Sequence, residues 1–209
     1  MDFVVIDVET ASSDPSSICQ VGIASFLHGY LEEAWQSLVN PECDFAPAHV
    51  AVHGIHEDDL WQAPSWDKIY PEVHARLAGQ IVVSHTSFDR IALERARIRF
   101  NLMECECRWL DSAKVARIAW SRFSRGGYNL PNLAVHFGIP YRAHDALEDA
   151  RCTGLLLLRA IEETGLGPEE WLTRVTHPVD AAGTRRKPPQ GQLRARSRRP
   201  KSPGLSPDL

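Results

Sequence analysis

Apolar residues mark the strands of this chain first. Phe3 to Val8 is a short β-branched run and predicts a largely buried strand. Ser17 to Phe26 reads as a second strand and Glu33 to Val39 as a third. His28-Gly29 supplies the turn between them, which suits antiparallel pairing. Ser65 to Ala78 carries a helical pattern that Pro71 is expected to kink or shorten. Gln80 to Ser84 is a fourth strand. Ser87 is placed to cap a helix reaching about Arg99, and Asp111 to cap another through Trp120. Pro131 sits in the first turn of a short helix that Gly138 ends. A last helix spans Ala146 to Thr164, with Gly165 as its stop. Strands precede an alternation of strand and helix. The order predicts an α/β fold, a mixed sheet with helices on its faces.

Composition sharpens this picture. The 209 residues are 44% hydrophobic and 24% charged, enough to bury a core. A net charge of −4 excludes a uniformly basic nucleic-acid coat. The charge is uneven: residues 177–209 carry eight basic and two acidic side chains, and the rest carries a net −10. Six prolines and few large apolar residues fall in that basic segment. We expect a folded domain over 1–176 and a disordered Pro/Arg/Ser-rich tail over 177–209. No apolar run approaches the ~20 residues that cross a bilayer, and Asp7 and Glu9 in the first apolar stretch do not fit a secretory signal. A cytoplasmic protein with no membrane partner is expected. The five cysteines (Cys19, Cys43, Cys105, Cys107, Cys152) are odd in number and lack zinc-finger spacing, so reduced thiols are expected.

Three acidic segments interrupt the apolar pattern. Asp7 and Glu9 lie at i and i+2, so a strand turns both to one face. Like charges that close repel unless something positive lies between them. Taken alone, the pair also fits a strand that has already ended, with both acids in solvent. Asp89 follows the apolar strand Ile81 to Val83, at the carboxyl end where α/β sites collect; alone it also reads as an acid in a first helical turn. Asp145 with Glu148 makes a capping-box-like helix start. That leaves Asp149 in the first turns and His144 just outside the helix. Together the segments supply four carboxylates and an imidazole that no ion-pair scheme explains. Hard carboxylate oxygens suit Mg²⁺ or Mn²⁺, and four of them suit a pair of such ions in phosphodiester hydrolysis.

The segments VVIDVETA, SHTSFDR and HDALEDA resemble the three motifs of the DEDDh (DnaQ-like) 3′–5′ exonucleases. That family includes replicase proofreading subunits, RNase T and oligoribonuclease. Order and separation match, and the resemblance covers residues 2 to about 165. Asn40-Pro41-Glu42, Val52 to Ile55 and Tyr128 to Leu133 resemble its intervening segments. The resemblance implies a ribonuclease H-like mixed β-sheet with helices on both faces. It implies two divalent metal ions, Mg²⁺ or Mn²⁺. Asp7 would bridge them, Glu9 and Asp149 would complete the hydrolytic metal's shell, and Asp89 would serve the other. His144 would be the general base. One departure is Ser84-His85, where many members have His-Asn; His85 is read as a hydrogen-bonded loop histidine.

The implied reaction releases 5′-mononucleotides from a single-stranded 3′ end, with DNA favoured over RNA. Thr10, Ala11, Val52 and His53 form the expected substrate wall. Two alternatives are an exoribonuclease of the RNase T or oligoribonuclease type, and a catalytically silent nucleic-acid-binding module. Retention of all five site residues argues against the silent module. None of the six tryptophans is assigned to substrate. Gln192-Leu193 lacks an aromatic clamp-type setting, so polymerase or clamp association has no support, while a homodimer is compatible with the sequence.

Overall fold

A computed structural model describes residues 2–123 and 127–176. The expected basic tail lies outside the described residues. Five strands form one sheet: β1 (Phe3–Thr10), β2 (Ile18–Leu27), β3 (Tyr30–Leu38), β4 (Ile81–Ser84) and β5 (Arg108–Asp111). Their spatial order is β3-β2-β1-β4-β5. β1, β2 and β3 pair antiparallel, while β1, β4 and β5 run parallel, so the sheet is mixed. The helices are α1 (Pro47–His53), α2 (Trp66–Leu77), α3 (Phe88–Arg99), α4 (Ser112–Ala119), α5 (Leu130–Phe137), α6 (Ala146–Thr164) and α7 (Pro168–Thr176).

The strand period divides the core in two. Phe3 and Val5 of β1 join Ala24, Phe26 and Val83 under α4 to α7. Val4, Ile6 and Val8 point the other way, into a second core with α2 and α3. Burying each such side chain is worth about 1.5–3 kcal/mol. That is what holds β1 in the sheet centre although it carries two carboxylates.

Several boundaries differ from those expected. β1 reaches Thr10 rather than Val8, which places Asp7 and Glu9 inside the strand. β3 begins at Tyr30, not Glu33; as an exposed edge strand it shows no clean alternation, and the register with β2 sets its start. Pro71 lies within an unbroken α2, whose Trp66, Ile69, Tyr70, Val73 and Leu77 are held by burial. Ser87 occupies the N-cap of α3, but its side chain makes no capping bond. Asp111 does cap α4, accepting from the Lys114 N–H at 3.2 Å. α6 is not the last helix, since α7 follows it and buries Trp171. All five cysteines are free. No described helix is long and apolar enough to cross a membrane.

Candidate active site

Parity along β1 builds the centre of the site. Asp7 and Glu9 continue the two-residue period of Phe3 and Val5, the residues under α6. Glu9 still pairs with Gln20, and the register shifts only between Glu9 and Thr10. Such an irregularity re-aims a strand at its end.

α6 brings the second group. Its first turn rests on Gly22, the β2 residue opposite Asp7. A Cβ at Gly22 would lie 2.3 Å from the Ala146 carbonyl carbon, so only glycine admits this approach. Gln20 Oε1 accepts the Ala146 backbone N–H at 3.1 Å, satisfying one of the helix's orphan donors. Asp145 caps the helix through the Glu148 N–H at 3.2 Å and pairs with Arg142. Glu148 turns away to Arg151. Asp149, one turn in, is buried, and its Oδ2 accepts the His144 backbone N–H at 2.6 Å. That bond steadies His144 at a φ of 63°, in the left-handed region. The His144 side chain is 53% exposed, and its Nδ1 lies 4.0 Å from Glu9 Oε1.

Asp89 arrives from the end of β4. It is 3% exposed in the first turn of α3, and its Oδ1 accepts the Val8 N–H at 3.1 Å. One oxygen of Asp89 therefore ties α3 to β1. Asp7, Glu9 and Asp149 each offer a carboxylate oxygen within 4.8 Å of the other two. Asp89 stands outside that trio but lines the same cleft, of about 270 Å³, with His144.

The electrostatics are those of a cation site. Burial, then Asp89, Asp149, Glu9 and Asp145, hold the Asp7 carboxyl well above the usual range. Burial and then Asp149 push Glu9 up to about 8. Burial raises Asp89 to about 7, against the Val8 hydrogen bond, and Asp149 to about 6, against that of His144. Four carboxyls that resist ionising together fit divalent cations between them.

His85 is a structural residue of the cleft wall. Its Nδ1 lies 2.8 Å from Ser112 Oγ and its Nε2 lies 2.8 Å from the Tyr128 carbonyl. Burial holds its pKa below the ordinary value.

The expected substrate wall is mixed in character. Thr10 and Ala11 are buried, Ala11 against Cys19 and Leu60, and its N–H bonds the Ser17 carbonyl while its own carbonyl accepts from Ala46, each at 2.8 Å. Val52 is 52% exposed on α1. His53 accepts the Ile55 N–H at Nδ1 (3.0 Å), which puts its proton on Nε2, facing the Thr10 carbonyl at 3.3 Å. Both ring nitrogens are thus engaged within the chain. Sequence reasoning missed His49, whose Nδ1 reaches the same carbonyl at 2.9 Å. It also missed Gln20 and Gly22. A polar side chain and a glycine at one parity of an apolar strand were the available signal.

A family model described as an RNase T exonuclease matches residues 4–157. The chain belongs to this exonuclease family. Within that family it is of the DnaQ-like, DEDDh type. The 3′–5′ exonuclease DinG of Staphylococcus haemolyticus is 28% identical over 165 residues, 77% of this chain and 18% of that protein. A PolC-type DNA polymerase III of Thermotoga petrophila is 27% identical over 164 residues, 77% of this chain and 12% of that protein. The match thus spans less than a fifth of these relatives' own lengths. Among solved structures, exonuclease X in complex with 5′ overhanging duplex DNA superimposes with a TM-score of 0.66 at 22% identity, covering 83% of this chain and 99% of that one. Escherichia coli exonuclease I in complex with a dT13 oligonucleotide gives 0.69 at 16% identity, covering 78% and 42%. The shared fold is ribonuclease H-like.

The raised carboxyls of this exonuclease domain give a prediction with a definite sign. A carboxyl whose folded pKa is raised stabilises the fold fully below its unfolded value of about 4. That contribution is lost as pH rises through the folded values, about 6 for Asp149, 7 for Asp89 and 8 for Glu9. Metal-free protein should therefore melt at progressively lower temperature between about pH 5 and pH 8. Mg²⁺ or Mn²⁺ should raise Tm most at the alkaline end, where the ligands are ionised. Thermal melts in chelator and in excess metal check this; a chelator profile that rises with pH contradicts it.

Proposed function

We propose that this domain removes nucleotides singly from the 3′ end of single-stranded nucleic acid, DNA in preference to RNA, releasing 5′-mononucleotides. The observation that carries the proposal is the meeting of Asp7, Glu9 and Asp149 within 4.8 Å, with Asp89 and His144 on the same cleft. The donor set is all carboxylate, which suits Mg²⁺ or Mn²⁺ rather than a soft ion. Asp7, Glu9 and Asp149 would hold one cation, with Asp7 shared and Asp89 serving a second. Bound there, the two cations supply Lewis-acid stabilisation of the phosphoryl oxygens and an acidified water.

The chain's own residues do the rest. His144 is exposed, and its imidazole accepts the proton of the attacking water on a ring nitrogen. Its backbone bond to Asp149 keeps base and ligand in register. The bulged end of β1 and the exposed Val52 of α1 form the wall against the terminal nucleotide. The Thr10 carbonyl, fixed by His49 and His53, keeps that wall rigid.

DNA preference draws support from the PolC-type DNA polymerase III relative and from the similar exonucleases solved with duplex DNA and with dT13. An exoribonuclease reading draws on a similar nuclease domain solved with rAMP. Matched single-stranded DNA, single-stranded RNA and duplex, each with Mg²⁺ and with Mn²⁺, test the proposal. The expected order of rates is single-stranded DNA, then RNA, then blunt duplex. Faster hydrolysis of RNA would move the assignment to the exoribonuclease type. Binding without hydrolysis would leave the silent module.

A further inference from the structure

One polar group in the cleft has no role in the chemistry above. Tyr141 lies on the loop between α5 and α6, three residues before His144. Its ring packs at the border of the core under α4 to α7. Its hydroxyl is buried and has no hydrogen-bond partner among the described residues. A buried hydroxyl left so costs about 1–3 kcal/mol. The other orphaned side-chain groups among the described residues are those of Trp66, Thr153, Trp171 and Arg174, none of which lines the cleft. Tyr141 does line it, together with Asp7 and Asp149. Burial, then the charge of Asp149, pushes the phenol above its ordinary value, and Asp7 adds to this. Among the described residues no hydrogen bond joins the hydroxyl to either carboxylate.

We propose that Tyr141 is a positioning residue of the cation site, its hydroxyl hydrogen-bonding the hydration shell of the cation held by Asp7 and Asp149. A phenol both donates and accepts, so it can orient a water beside a carboxylate. It stays protonated at neutral pH and brings no further charge to a crowded acidic site. The proposal rests on the reading of Asp7, Glu9 and Asp149 as cation ligands.

Tyr141→Phe keeps the ring and removes only the hydroxyl. Loss of a partner in the outer shell typically weakens metal affinity or activity about 10–100-fold. Calorimetric titration of the metal-free protein with Mn²⁺, without substrate, should show at least about tenfold weaker binding in the variant. Metal-free Tm should be unchanged or higher, because an unsatisfied polar group has gone. At saturating Mn²⁺, KM for a single-stranded oligonucleotide should match that of the wild type. Equal Mn²⁺ affinity in the two proteins would overturn the proposal and leave the ligand assignment intact. So would a lower metal-free Tm in the variant, which would mark a purely structural hydroxyl. Failure of the wild type to bind Mn²⁺ would overturn the ligand assignment and this proposal together.

Discussion

Asp7→Ala should lower turnover with Mg²⁺ by more than about 10³-fold, well beyond the 10–100-fold typical of an outer partner. Asp7 is the most central carboxylate of the group. After burial itself, Asp89, then Asp149 and Glu9 hold its carboxyl up, so it stands against all three of the other acids. It lies on the strand whose Val8 N–H anchors Asp89 and whose face meets Asp149. Removing it would take the common ligand from both halves of the site. The fold should survive, because the substitution leaves the backbone pairing of Asp7 with Gly22 in place, and among the described residues no hydrogen bond uses the Asp7 side chain. Metal-free Tm should even rise, since a buried carboxyl that resists ionising among like groups is removed. Turnover assays with thermal melts of the same preparation check both halves. Turnover near wild type with Mg²⁺ would remove Asp7 from the centre of the account.

His144→Ala should lose about 10²–10⁴-fold in kcat, the usual contribution of a general base. The imidazole is 53% exposed and lies 4.0 Å from Glu9, so its loss disturbs little packing. The backbone N–H that holds Asp149 is retained, and Mn²⁺ affinity should change little. The acidic limb of the pH–rate profile should flatten, as removal of a general base requires. His85→Ala is the control. Its ring is fixed between Ser112 and Tyr128, so its loss should lower Tm rather than flatten the limb. The reverse pattern would move the base to His85.

The carboxylate centre was legible because local rules build it. Period two puts Asp7 and Glu9 on one face, and a helix start puts Asp149 beside His144. The Asp145 cap was readable for the same reason. Elements fixed by non-local pairing were not. β5 is four residues, Arg-Trp-Leu-Asp, and is a strand only because it pairs with β4. α1 buries none of its residues, so it shows no apolar stripe, although Pro47 marks its first turn. α7 had readable signals in Pro168 and in Glu169 and Glu170 of its first turn. They were hidden behind the stop at Gly165. Gln20, Gly22, His49 and Tyr141 acquire roles only when α6 and α1 dock on the sheet, which no local pattern encodes.

The central claim is that this cleft is a metal-dependent site that cuts from the 3′ end. A single-stranded DNA carrying a label on its 3′-terminal nucleotide tests it most directly, with wild type and Asp7→Ala run in Mg²⁺ and in chelator. The account predicts that wild type with Mg²⁺ releases the label in its first turnover as a 5′-mononucleotide, and that chelator or the substitution stops release. Release that persists in chelator, or label that appears first in longer fragments, would contradict it.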